Sequence, residues 1–127
     1  WEALRDWRCA HVPGLRVERS EVAWQNTVAD HPEHLWFAVE GGGYLRLSGS
    51  DGTVVIEELA VPDTLLDAVL QAAAGLAAAR DLSLEGWFRP TPFVEARFRP
   101  MSRSGQLPMV RGNWRTEAVS LHPADYF

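Results

Sequence analysis

The sequence predicts an α+β domain built on a mixed sheet, and three observations carry that expectation. Three short segments rich in aromatic and β-branched residues follow one another with glycine turns between them, the pattern of an antiparallel meander. A long stretch with apolar residues at helical spacing comes next, and another strand-like segment follows it. Strand, helix and strand in that order make a crossover, so the last two strands should lie parallel.

Composition sets the outer bounds. The 127 residues fit a single domain over 1–127. Hydrophobic residues make up 46% and charged residues 23%, enough apolar material for a core without disulfide or metal staples. No stretch approaches the ~20 apolar residues of a membrane span. The greasiest run, 65–79, is interrupted by Asp67, Gln71 and Gly75. The first fifteen residues alternate charges with aromatics and do not read as a signal peptide. A net charge of -5 with scattered arginines argues against nucleic acid, which needs a concentrated basic face. The lone Cys9 suits a reducing cytosol and reads as a small buried apolar residue, so a cytoplasmic protein is expected. All 12 basic residues are Arg, which together with the many Ala and Gly reads as the coding bias of a GC-rich, bacterial genome. The chain has no initiator Met, and a preceding segment of a longer chain is therefore expected.

Element by element, Glu2–Cys9 reads as a short amphipathic helix that brings Leu4, Trp7 and Cys9 together, stopped by His11–Val12–Pro13–Gly14. Ser20 caps a second helix over 21–29, expected to bury Val22, Trp24 and Val28. The meander strands are 34–40, 44–48 and 53–61, turned by Gly41–Gly42–Gly43 and by Gly49–Ser50–Asp51–Gly52. Asp63 or Thr64 should cap the long helix, whose stripe is Leu65, Leu66, Val69, Leu70, Ala73, Leu76 and Ala77. A fourth strand is expected at 82–88, a short helix at 92–98 and a last strand at 106–111, where Pro108 restricts it to an edge or a bulge.

That element order, with wording to match, resembles the GNAT family of N-acetyltransferases across nearly the whole chain. Leu15 to Ser20 followed by Trp24 resembles the approach to the second helix in the C-terminal half of tandem GNAT proteins. Gly43–Tyr44–Leu45 with Ile56–Glu57–Glu58–Leu59 is similar to their central strands, Leu107 to Arg111 to a late strand, and Leu121 to Phe127 to the closing segment. The resemblance implies a GNAT-like sheet with helices on both faces.

One departure bears on function. Active GNAT domains place a glycine-rich loop before the long helix, where backbone N–H groups hold the pyrophosphate of acetyl-CoA. Here that junction reads Val61–Pro62–Asp63–Thr64, with no glycine, a proline that lacks an N–H and a carboxylate in the anion's place. No cofactor is therefore expected. The resemblance implies a non-catalytic half that partners a catalytic GNAT domain in the same chain or in a homodimer mate. Its alternative is an active N-acetyltransferase that binds acetyl-CoA at Val61, Asp63 and Thr64 through an atypical loop.

The residues that could carry chemistry are few. Glu57 and Glu58 stand where some GNAT enzymes carry a general base, and as neighbours on a strand they should face opposite ways. The duller expectation is one solvated carboxylate and one paired with an Arg. Tyr126 could stand in for the tyrosine that protonates the departing thiolate in some GNAT enzymes, or simply anchor the tail. His31–Pro32–Glu33–His34 matches no zinc pattern and reads as a turn, so no metal is expected. Arg97, Arg99, Arg103 and Arg111 form a loose group read as a solvated loop with Glu95 as partner, and Trp87–Phe88 as the lining of a cleft or contact.

Overall fold

A computed structural model describes residues 1–12, 19–88 and 91–100 of the protein. Along the chain run α1 (Glu2–His11), α2 (Glu21–Ala29), β1 (Leu35–Ala38), β2 (Tyr44–Ser50), β3 (Thr53–Ala60), α3 (Asp63–Ala78), β4 (Ser83–Gly86) and α4 (Pro92–Arg97). The sheet has the order β1-β2-β3-β4, antiparallel through β3 and parallel between β3 and β4. The expected α+β mixed sheet is thus present. The strand expected at 106–111 lies outside the described residues, as do Tyr126, Arg103 and Arg111.

Local chemistry accounts for the boundaries. The Ser20 side chain accepts a hydrogen bond from the backbone N–H of Ala23 at 3.2 Å and opens α2. Thr91 does the same for α4 through Val94, with Pro92 in the first turn. α3 differs from expectation by one position, because Pro62 is its N-cap and Asp63 its first residue. Gly43 joins β1 to β2 at φ +116, and a Cβ there would meet the carbonyl oxygen of Ala60 at 2.3 Å. Only glycine fits so close to β3.

Helices pack on both faces of the sheet. Leu45, Leu47 and Ile56 meet Leu66, Leu70 and Ala73 of α3 and Val94 of α4. On the other face Tyr44 and Ala60 meet Val12, Trp24 of α2, and Leu4 and Trp7 of α1. Leu66, Leu70, Ala73 and Ala77 form the buried stripe of α3, inside the apolar set expected from its spacing.

Three positions expected to be buried are exposed. Only Trp24 of α2 is buried, while Val22 is 62% and Val28 43% exposed. Val22 sits ~200° around the helix from Trp24, and Val28 lies in the final turn, beyond the contact Trp24 makes. Cys9 is exposed as well. The inward stripe of α1 runs through Leu4, Trp7, Arg8 and His11, and Cys9 falls outside it.

Candidate functional site

Strand β3 carries one residue more than β2 opposite it. Arg46 pairs with Glu58 and Leu47 with Ile56, so Glu57 is the extra residue of a β-bulge. The bulge breaks the alternation that would send the two glutamates to opposite faces. Glu57 accepts a hydrogen bond from the hydroxyl of Ser48 at 2.6 Å. Glu58 accepts from Nη1 of Arg8 at 2.8 Å and from Nη1 of Arg19 at 3.0 Å. Ser48 shares its face with Tyr44 and Arg46, so both carboxylates lie on the α1–α2 side. The expectation of opposite faces is thereby corrected.

The centre of this arrangement is closed to solvent. Glu58 is 0% exposed, and Arg8, Arg19 and Arg46 are all buried around it. Arg19 also lies over the ring of Trp24, its guanidinium 4.7 Å from the centroid, and Arg46 over that of Trp36 at 5.1 Å. The Tyr44 hydroxyl lies close enough to Glu58 to feel its charge but misses hydrogen-bond geometry. Burial, then the Glu58 carboxylate, pushes the Tyr44 pKa up. A general base has to be reached by the proton it takes. Glu58 is not reachable, and Glu57, half-buried, is occupied by Ser48.

Arg46 links this cluster to the loop before β1. Its Nε donates to Nδ1 of His34 at 2.9 Å, so neutral His34 carries its proton on Nε2. Burial, then the Arg46 charge, lowers the His34 pKa. Nε2 of His34 is 3.4 Å from Glu33, whose carboxylate also lies 3.1 Å from Nδ1 of His31. The ligand atoms of His31, Glu33 and His34 fall within 4.8 Å of one another. The fit to a metal is nevertheless poor. A ligand on Nε2 of His34 would move the proton to Nδ1, against the Arg46 N–H. The two rings instead stack, with centroids 4.6 Å apart.

The positions considered for cofactor binding lie apart from this cluster. Val61 is buried in the α3-side core, whereas Asp63 and Thr64 are exposed in the first turn of α3. Parallel pairing of β3 with β4 ends at Ile56 and Gly86, while β3 continues to Ala60. Phe88 folds back over that end, and a Cβ on Gly86 would meet its ring at 2.8 Å. Beyond β4, a cavity of about 1500 Å³ is lined by α3 at Gly75, by Trp87 and Phe88, and by Phe93, Arg97 and Phe98. Arg97 lies over Phe93, its guanidinium 4.8 Å from the ring centroid, a different partner from the Glu95 expected.

In comparison with known proteins, no family model, no curated protein and no solved structure matches the chain. Among the described residues no helix is long and apolar enough to cross a membrane. The expected pairing of one glutamate with an Arg is present at Glu58, but the sequence does not name Arg8 and Arg19 as its partners, although Arg8 sits on the stripe of Leu4 and Trp7. What the cluster does chemically is fix two N-terminal segments to the sheet.

Proposed function

We propose that this chain is a non-catalytic, cytoplasmic GNAT-like half that packs against a catalytic GNAT domain, in its own chain or in a homodimer mate. The observation that carries this reading is the start of α3. Pro62 caps the helix without an N–H to offer, and the first-turn residue Asp63 brings negative charge to the positive end of the helix dipole. A diphosphate would compete with that carboxylate. The burial of Glu58 between two arginines supports the same reading, because it gives the central strand a fastening where a base would stand. Neither nucleic acid nor a membrane surface is proposed as a partner.

A second reading has one observation in its favour. Between Glu57 and Ala60 the β4-side edge of β3 extends past its pairing with β4, and an extended amide chain such as that of acetyl-CoA can add to such an edge. On that reading the chain is an active N-acetyltransferase. Isothermal titration of acetyl-CoA and of CoA into the folded chain separates the two. Absence of heat supports the partner half, and saturable micromolar binding sinks it.

A further inference from the structure

The exposed edge of the sheet carries an inference that goes beyond this reading and does not depend on acetyl-CoA binding. Among the described residues β1 is an edge strand, and its residues Leu35 and Phe37 are 58% and 41% exposed. Exposed edges of soluble proteins are ordinarily blunted by lysine, proline or an inward charge. Leu35–Trp36–Phe37–Ala38 has none of these.

We propose that two copies of this chain pair edge to edge through β1, antiparallel, about a two-fold axis at Phe37. The backbone sets the register. The N–H of Val39 donates to Gly43, so odd-numbered residues bond inward to β2 and Trp36 and Ala38 present their N–H and C=O outward. With the axis at Phe37, Trp36 bonds Ala38 of the second copy, and Phe37 meets Phe37 in the close, non-hydrogen-bonded position. Every side chain then faces a complement. Leu35 meets Val39 and completes an apolar row, bulky Trp36 meets small Ala38, and the His34 imidazole meets the Glu40 carboxylate. Moving the axis to Trp36 would oppose that tryptophan to itself and set Glu40 against Pro32, which has no N–H to give. The pattern is self-complementary about one residue, as an isologous contact requires. The paired edges would make one continuous sheet from two copies.

Sedimentation velocity over a concentration series tests the pairing, and cysteine cross-linking tests its register. The 127-residue chain should show a concentration-dependent dimer that Leu35→Glu and Phe37→Lys each convert to monomer with an unchanged circular dichroism spectrum. In a Cys9→Ser background, Phe37→Cys should form a disulfide-linked dimer on mild oxidation, and Leu35→Cys should lag well behind. A chain that stays monomeric at every soluble concentration overturns the proposal. So does a dimer indifferent to Leu35→Glu, or cross-linking equally fast from positions 35 and 37.

Discussion

Arg8 of α1 and Glu58 of β3 are fifty positions apart in sequence and 2.8 Å apart in space, with both side chains withdrawn from solvent. The pair closes over the sheet because the bulge at Glu57 turns Glu58 toward α1. A buried pair of this kind contributes little relative to an apolar replacement, but removing one partner strands the other.

Glu58→Gln should therefore be costly. It keeps the side-chain volume and removes the buried charge that both Arg8 and Arg19 bind, a loss of ~3–5 kcal/mol. Urea unfolding measures it, and a loss below ~1 kcal/mol would show that the clamp is worth no more than a surface ion pair.

Glu57→Gln, one residue away, should behave differently. Its partner is the Ser48 hydroxyl and it is half-buried, so the amide should cost no more than ~1 kcal/mol. Equal losses at 57 and 58 would contradict the geometry of the bulge.

His34 predicts a pH dependence. Burial and the Arg46 charge lower its pKa in the fold below the ordinary value of 6.5. The unfolded chain then binds the proton more readily, and stability rises with pH across that window. The contribution is complete above 6.5 and is lost as pH falls from 6.5 toward the lowered value. Thermal unfolding between about pH 7 and pH 5 should show a shallower slope for His34→Gln than for the natural chain. Identical slopes would remove His34 from the account.

Gly43 and Gly52 separate backbone strain from steric clash. Both have positive φ, at +116 and +73, but a Cβ on Gly52 meets nothing within 4 Å. Gly52→Ala should cost ~1 kcal/mol, and Gly43→Ala at least ~2 kcal/mol because the Ala60 carbonyl must move. Chemical denaturation of the two variants gives the comparison directly, and matching losses would rule out the close approach as the cause.

The meander, the crossover and α3 are legible because each is written in a local period: aromatic strands between glycines, then an apolar stripe from Leu66 to Ala77. The candidate site is less legible. Nothing local marks Glu57 as a bulge, since the extra residue exists only relative to β2, and the two-residue period places Glu57 and Glu58 wrongly. Arg8 was within reach, being the fourth member of a stripe with Leu4, Trp7 and His11. Its charge hid it, because an arginine on an apolar face looks like an error until its carboxylate is found fifty positions on. Val22 and Val28 failed for the opposite reason. Their hydrophobicity predicts burial, but Trp24 is the one residue of α2 that is buried.

The distance between Arg8 and Glu58 along the chain also sets a timetable. At ~5–20 residues per second, Arg8 is added to the chain roughly 2.5–10 s before its carboxylate has been made. Throughout that interval an amphipathic helix with Leu4 and Trp7 on its inner side has no sheet to lie against. The helical segments α1 and α2 are synthesised before the strand that fastens them, and the residue that holds them is made only with the third strand.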